Sequence, residues 1–312
     1  MRPRPADYAF DLAAALEAVV TVTSHIPPDG LTASVLGTER SGNGVVIERN
    51  LVLTIGYLVT EAQQIWLTLS DGRTVPGDVL AYDQPTGFGL IQALGQMDVT
   101  PVTIGSSTDA GVGDEVVISG AGGLQNALAA HLVAKQEFAG YWEYLLDEAL
   151  FVAPAHQNWG GTAVLAADGS LIGIGSLQIQ DAEVNGDTED LNMVVPIDLL
   201  KPILADMKQT GASGTPPRPW MGLYATASED SVVVIGLSER GPAQDAGVEP
   251  GDVITAVDGT VITSLPEFFR AVWSTGPAGC AVTLSMLRDG QERDAVIVTV
   301  DRGAMLKRPM MH

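Results

Sequence analysis

Hydrophobic residues along the chain fall mostly into short runs that glycine, proline and aspartate interrupt. Residues 51–59 form a largely aliphatic run, residues 65–69 alternate in a strand-like way, and Asp71-Gly72 is typical of a hairpin turn. Helical spacing is confined to short stretches such as residues 12–20 and 265–273. The pattern therefore predicts a mostly β protein with a few short helices.

A segment rich in glycine, proline and serine, residues 209–219, divides the chain and is typical of a linker. The 312 residues are enough for two domains. We therefore predict a first domain over residues 20–208 and a second over 220–303. A lead-in over 1–19 and a tail over 304–312 complete the chain.

Composition and charge exclude several classes of function. Hydrophobic residues make up 46% of the chain, so large cores can form, and 16 basic against 38 acidic residues give a net charge of −22. Such a chain repels nucleic acids and anionic membranes, so we expect no nucleic-acid partner. The lone cysteine, Cys280, excludes a disulfide framework. No two histidines have metal-ligand spacing, so we expect neither a metal nor a cofactor.

The N-terminal residues carry positive charge, but no apolar stretch of the kind found in a signal peptide follows them. Asp11 and Glu17 interrupt the next apolar residues. The sequence therefore predicts no signal peptide and no integral membrane segment, which indicates a cytoplasmic location. A periplasmic location stays open if a leader is missing from this chain.

Residues 156–164, followed by a turn at 167–169 and a strand-like run, carry the candidate chemistry. This stretch resembles trypsin-like serine proteases of the HtrA/Deg type, which have Gly-Asn-Ser-Gly-Gly here. Trp159 stands in the position of the nucleophilic serine, and an indole has no nucleophilic atom. The frame matches at Asn158, Gly160 and Gly161. The resemblance implies a residual oxyanion loop of backbone N–H groups at Gln157, Asn158 and Gly160.

The other two members of the family's catalytic triad are also replaced where their flanks match. Residues 51–59 resemble the family segment that carries the general-base histidine, and its position falls on Tyr57. Residues 82–91 resemble the segment that carries the orienting aspartate, and its position falls on Gly87. A tyrosine with a pKa near 10 is a poor base at neutral pH. The resemblance therefore implies that all three triad positions are lost.

The chain after the linker resembles a PDZ domain, most clearly over residues 241–254, which read Gly-x-Ala-x-x-Ala-Gly-Val-x-Pro-Gly-Asp-Val-Ile. PDZ domains bind an extended peptide as an added strand, and a glycine-containing loop holds its terminal carboxylate. The matching loop and pairing edge are Trp220, Met221, Gly222, Leu223 and Tyr224. The other wall of the groove is predicted at Phe268, Phe269 and Val272.

The resemblance covers residues 20–303 and implies a trypsin-like double β-barrel followed by a small α+β PDZ domain. We expect a pseudoprotease that binds peptides or protein C-termini and regulates or scaffolds protein quality control. It would form a homo-oligomer, a trimer by family analogy, or a hetero-oligomer with an active relative. Whether the protein is an enzyme stays open, and the prediction favours a protein without proteolytic activity.

Alternatives remain at this point. An active endopeptidase or hydrolase could use one of the nearby hydroxyls, for which no base is evident: Thr162, Ser170 or Ser176. The protein could instead be a structural component of an oligomer, with a PDZ groove that is filled and used only for packing. The aromatic cluster at residues 141–144 lines the former cleft or belongs to a core, and the sequence does not separate these two.

Overall fold

The computed structural model describes residues 1–184, 187–229 and 231–307. The chain divides into two compact units, the first comprising residues 1–136 and 148–214 and the second comprising 137–147 and 215–307. The predicted boundary at residues 209–219 falls where the units separate. Residues 308–312 of the predicted tail lie outside the described residues.

A closed six-stranded antiparallel barrel opens the first unit, with the strand order β1-β2-β3-β6-β5-β4. Its strands are β1 (Val19–His25), β2 (Glu39–Glu48), β3 (Leu51–Ile55), β4 (Gln64–Thr68), β5 (Thr74–Tyr82) and β6 (Phe88–Ala93). Helix α1 (Leu12–Glu17) precedes the barrel, and helix α2 (Ala33–Leu36) lies between β1 and β2. The Asp11 side chain caps α1 by accepting the Ala14 N–H at 3.0 Å. Closure leaves this barrel without a free edge.

A second closed barrel follows, with the strand order β10-β11-β12-β9-β8-β7. Its strands are β7 (Glu115–Ser119), β8 (Ala127–Gly140), β9 (Tyr144–Ala153), β10 (Ala163–Leu165), β11 (Leu171–Val184) and β12 (Asp187–Pro196). Helix α3 (Leu204–Thr210) ends the first unit. Strands β8 and β9 are long, and residues 137–147, which include the turn between them, are part of the second unit. We call these residues the 137–147 segment.

The second unit is built on a sheet with the order β13-β14-β15-β17-β18, to which β16 adds by pairing with β15. The strands are β13 (Leu223–Ser228), β14 (Ser231–Leu237), β15 (Val253–Val257), β16 (Thr260–Val261), β17 (Ala281–Arg288) and β18 (Gln291–Val298). The helices are α4 (Pro242–Asp245), α5 (Leu265–Ser274) and α6 (Arg302–Met305). Strand β13 is therefore an edge strand, with one side available for pairing.

The core of the second unit forms between the sheet and one face of α5. The buried residues of this face follow helical spacing: Leu265, Phe268, Phe269 and Val272. Leu145 of the 137–147 segment, only 6% exposed, belongs to the same hydrophobic cluster. The segment is thus an integral part of the second unit, although the predicted boundaries assign it to residues 20–208.

The predicted architecture is confirmed: the chain is mostly β, with two barrels followed by a small α+β domain. Among the described residues, no helix has both the length and the apolar character that crossing a membrane requires.

Candidate functional site

Tyr57 and Trp159, two of the predicted triad positions, are in direct contact. Tyr57 lies in a short helical turn that follows β3, and its hydroxyl donates to the Ser176 carbonyl oxygen at 2.8 Å. The Trp159 side chain lies close enough to the phenol to lower its pKa in part. The fold therefore places a phenol and an indole together where the resemblance expects a base and a nucleophile.

The surroundings of Tyr57 keep its phenol protonated. Burial raises the pKa of Tyr57 above its ordinary value, and the nearby Trp159 side chain only partly opposes this effect. The proton is already donated to the Ser176 carbonyl oxygen. A general base must be deprotonated near the working pH, so this phenol cannot accept a proton from a nucleophile.

Gly87, the third predicted triad position, lies beside the residue that precedes Tyr57. Its carbonyl oxygen accepts the Gly56 N–H at 2.6 Å, and its φ of +80° is one that favours glycine. No carboxylate can come from this position. The nearby Asp83 carboxylate accepts the Thr86 N–H at 3.0 Å and the Thr86 hydroxyl at 2.7 Å. Asp83 therefore caps its own turn.

The loop around Trp159 is held by hydrogen bonds to its carbonyl groups. The Asn43 side-chain amide donates to the carbonyl oxygens of Asn158 at 2.9 Å and Gly160 at 3.0 Å. The Thr162 N–H and hydroxyl both donate to the Trp159 carbonyl oxygen, at 3.2 Å and 3.0 Å. Gln157 and Asn158 are exposed. These bonds fix the conformation of the loop.

Two of the three alternative hydroxyls are engaged in hydrogen bonds, and the third belongs to a buried residue. Thr162 donates to the Trp159 carbonyl oxygen, and Ser170 donates to the Asp168 carboxylate at 2.7 Å. The hydrogen bonds from Ser170 lower the pKa of Asp168, which makes that carboxylate a weaker base. Ser176 is 4% exposed. The Thr162 and Ser170 hydroxyls thus donate to a carbonyl oxygen and to a carboxylate, and neither donates to an imidazole.

The buried imidazole of His156 has both ring nitrogens occupied by backbone groups. Its Nδ1 accepts the Asn158 N–H at 3.1 Å, so Nε2 carries the proton and donates to the Asn126 carbonyl oxygen at 2.9 Å. Its backbone N–H donates to the Asn192 side-chain oxygen at 2.6 Å. His156 therefore stabilises the loop.

A carboxylate occupies the predicted carboxylate-binding loop of the second unit. The N–H groups of Met221, Gly222 and Leu223 donate to Glu143 Oε1 at 3.2, 2.7 and 3.2 Å. The Met221 N–H also lies 3.2 Å from Oε2. Glu143 belongs to the 137–147 segment and is only 4% exposed. The loop thus gathers three donors on one anionic group, which is the arrangement that a terminal carboxylate requires.

Gly222 gives this loop its shape. Its φ is +74°, in the left-handed region, and a Cβ there would lie 2.9 Å from the Gly241 Cα and 3.0 Å from the Trp220 ring. Successive N–H groups point to a common side when the backbone takes such a turn. The loop therefore depends on glycine at position 222.

The main chain next to Glu143 also pairs with the edge strand. The Ala225 N–H donates to the Tyr141 carbonyl oxygen at 2.9 Å. Tyr141 lies two residues before Glu143, and Ala225 lies two residues after Leu223, so the two contacts have the spacing of one antiparallel step. The rings of Tyr141 and Tyr224 meet edge to face with centroids 5.9 Å apart.

The Glu143 carboxyl group has a pKa above its ordinary value. Burial raises its pKa to about 7, against an ordinary value of 4.5, while hydrogen bonds from the three N–H groups and the positive charge of Arg302 act in the opposite direction. Tyr224 also faces this group, and burial raises the pKa of its phenol. Removal from water therefore outweighs the favourable contacts.

The predicted peptide-binding residues divide into two sets. Trp220, Met221, Gly222, Leu223 and Tyr224 lie at the carboxylate loop and the edge strand. Phe268, Phe269 and Val272 are at most 1% exposed and pack in the core with Leu145, so they do not form an open groove wall.

The aromatic cluster at residues 141–144 lies in the second unit. The rings of Trp142 and Tyr144 stack with centroids 5.6 Å apart and planes within 14°. Tyr144 is buried, whereas Tyr141 remains 47% exposed. The sequence left open whether the cluster belongs to a cleft or a core, and it did not predict the role of Glu143. The one sign of that role in the sequence is that Glu143 lies between two aromatic residues, Trp142 and Tyr144.

Family models match both parts of the chain. A model described as trypsin-like peptidase domain matches residues 42–174, and one described as PDZ domain matches residues 219–299. HhoA of Synechocystis sp. is 26% identical over 295 residues, which cover 86% of this chain and 71% of HhoA. DegP of Escherichia coli K12, a periplasmic serine endoprotease, is 28% identical over 271 residues. That match covers 80% of this chain and 55% of DegP, so the chain spans little more than half of that relative.

A solved structure shares the fold. It is the HtrA-type protease AlgW with decapeptide, with a TM-score of 0.54, 20% identity, and coverage of 96% of this chain and 98% of that chain. The order of the two family models agrees with the two-barrel unit followed by the second unit. The chain therefore carries a trypsin-like peptidase domain followed by a PDZ domain and is similar to proteases of the HtrA/Deg type.

Proposed function

We propose that this protein is an HtrA/Deg homologue without proteolytic activity that binds peptide or protein C-termini through its PDZ domain. The observation that carries the proposal is the convergence of three backbone N–H groups on one carboxylate at residues 221–223. A site of this kind recognises a terminal carboxylate, and the adjacent edge strand β13 can pair with an extended peptide. The relative AlgW has structures with a decapeptide and with a tripeptide, which favours the same ligand class here.

The lack of proteolysis rests on the chemistry at the triad positions. Trp159 supplies no nucleophile, the Tyr57 phenol holds its proton, and Gly87 has no side chain. In a serine protease, losing one key member of the triad reduces kcat by about six powers of ten. Backbone donors that remain in the loop stabilise an oxyanion only after a nucleophile has attacked.

Two measurements on the purified protein test the proposal. A fluorophosphonate probe should leave the protein unlabelled, and casein should stay intact. An array of decapeptides with free C-termini should contain members that bind saturably, and amidation of the same peptides should abolish that binding. Covalent labelling that disappears on substitution of one hydroxyl residue would contradict the first part. Equal binding of free and amidated peptides would contradict the second.

The proposal extends to assembly and setting. Relatives named as periplasmic endoproteases favour a periplasmic location over the cytoplasmic one predicted from the N-terminus. A role in regulating or scaffolding protein quality control is part of the proposal by family analogy alone. By family analogy the protein would form a trimer or a mixed oligomer with an active relative. Sedimentation equilibrium on the purified chain would test the trimer, and a monomer across the measured concentrations would contradict it.

A further inference from the structure

The Glu143 carboxylate occupies the donors that an incoming C-terminus would need. Met221, Gly222 and Leu223 each have one N–H, and all three point to the same carboxylate. A second carboxylate cannot share these donors, because two anions in one buried site repel each other and compete for the same protons. Occupation by Glu143 and occupation by an external ligand are therefore mutually exclusive.

The 137–147 segment imitates a bound peptide in its backbone as well as in its charge. The Glu143 carboxylate accepts the Leu223 N–H, and the Tyr141 carbonyl oxygen accepts the Ala225 N–H. The two contacts are two residues apart on each chain and follow opposite chain directions, which is the spacing of one antiparallel step along β13. An added strand ending at the loop would have this register. The segment differs from a bound peptide in that its carboxylate belongs to the side chain of an internal residue, Glu143, and not to a chain terminus.

Other contacts hold the segment in the second unit. Arg270 of helix α5 forms an ion pair with Glu137 and another with Asp147 at 2.6 Å, so it joins the two arms of the segment. Leu145 contributes to the core. Both ion pairs are partly exposed and contribute little to stability, so the segment is held mainly by Leu145, Glu143 and the contact between the Tyr141 and Tyr224 rings.

We propose that the 137–147 segment is an internal ligand of the PDZ domain, with Glu143 in place of a terminal carboxylate, so that an external C-terminus binds only after Glu143 leaves. The inference rests on the proposed function, since it concerns the regulation of the same site. It goes further by identifying the competitor as a part of this chain.

Two features favour release of Glu143. Its φ of +59° is in the left-handed region, which a residue with a Cβ rarely adopts. The carboxylate is also buried, and burial raises its pKa to about 7. Both features raise the free energy of the state in which Glu143 occupies the loop. A competing peptide therefore needs to offset only part of the stabilisation that the three N–H hydrogen bonds give to Glu143.

The test compares peptide binding by the wild-type full chain and by Glu143→Ala. The probe is the array of fluorescein-labelled decapeptides with free C-termini, together with amidated copies. We expect peptides to bind Glu143→Ala at least about tenfold more tightly than the wild type. If Glu143 fills the loop in about ten of every eleven wild-type molecules, only one in eleven can bind a peptide, and the apparent affinity falls about elevenfold. Amidated copies should bind neither protein.

Hydrogen exchange supplies a second readout. In Glu143→Ala, the amides of residues 221–223 and of the 137–147 segment should exchange faster than in the wild type. Added peptide should protect residues 221–223 again, but leave the 137–147 segment exposed. Glu292→Gln is the matched control, because Glu292 is exposed on β18 at the opposite edge of the sheet from β13. It should behave as the wild type does.

The possible outcomes separate the two proposals. Equal affinity of the wild type and Glu143→Ala for free C-termini would overturn the inference and leave the proposed function standing. Absence of binding by both folded proteins would overturn the proposed function, and the inference with it. If circular dichroism shows that Glu143→Ala does not fold, Glu143→Asp is used instead, because its shorter side chain withdraws the carboxylate from the three N–H groups. It should then show the gain in affinity, and an unchanged affinity would overturn the inference.

Discussion

Replacement of Glu143 by glutamine should remove a pH-dependent part of the stability of the second unit. The carboxyl group is 4% exposed, and burial raises its pKa to about 7 from the ordinary value of 4.5. The folded state therefore binds this proton more tightly than the unfolded state does. The stability that the protonated group contributes is fully present below about pH 4.5 and is lost as the pH rises to about 7.

The size of the effect follows from the two pKa values. Each pH unit between 4.5 and about 7 corresponds to ~1.36 kcal/mol, so the wild type should lose about 3 kcal/mol across this range relative to Glu143→Gln. The other groups that face Glu143 are Arg302, Tyr224 and Tyr141. They are the same in both proteins, so their titration cancels in the difference.

Urea unfolding at several pH values between about 4.5 and 7.5 measures this difference. Tryptophan fluorescence reports mainly on the second unit, since three of the five tryptophans, Trp142, Trp220 and Trp273, lie in it. A difference between wild type and Glu143→Gln that does not change with pH would refute the reasoning. So would a wild type that gains stability relative to the variant as pH rises, since the N–H donors and Arg302 would then outweigh removal from water.

Three further substitutions test the account. Leu145→Ala should lower the free energy of unfolding of the second unit by about 2–5 kcal/mol in urea titrations, because the side chain is 6% exposed in that core. A loss confined to the first unit would contradict the assignment. Trp159→Ser should not react with a fluorophosphonate, because Tyr57 and Gly87 are unchanged, and labelling would contradict this. Tyr57→Phe should cost about 1–3 kcal/mol by leaving the Ser176 carbonyl without its donor, and an unchanged unfolding midpoint would contradict that hydrogen bond.

The sequence allowed a prediction of the triad positions because their flanks are local patterns. Tyr57 follows an aliphatic run that becomes β3, and Trp159 lies in a glycine-rich frame that becomes the turn before β10. The hydrogen bond between Tyr57 and Ser176 spans 119 positions. Such pairing depends on the register of two barrels, which hydrophobic periodicity does not specify.

Helix α5 shows why one pattern can support two interpretations. Phe268, Phe269 and Val272 lie on one apolar face, which fits a groove wall as well as a core. The sequence predicts that this face is covered, but not what covers it. Leu145 belongs to the same cluster, although it lies more than a hundred positions earlier in the chain.

The role of Glu143 had the weakest signal in the sequence. Its partners are backbone N–H groups 78 to 80 positions away, and backbone donors have no residue type that marks them. Gly222 marks the loop because a left-handed φ requires it, and this part of the site was predicted. The carboxylate that fills the loop could be found only once the 137–147 segment was placed.

Exchange of Glu143 for an external C-terminus replaces one buried carboxylate by another at the same three N–H groups. The cost of removing the charge from water is therefore similar on both sides of the exchange, and it does not select the ligand. Two other quantities differ. The internal segment is tethered, which gives it an effective concentration on the order of millimolar. An external peptide has no turn at the position of Tyr141 and can continue to pair along β13 beyond Ala225. Ligands should therefore be selected by the residues that precede their last three, where the peptide gains contacts that the tethered segment does not make.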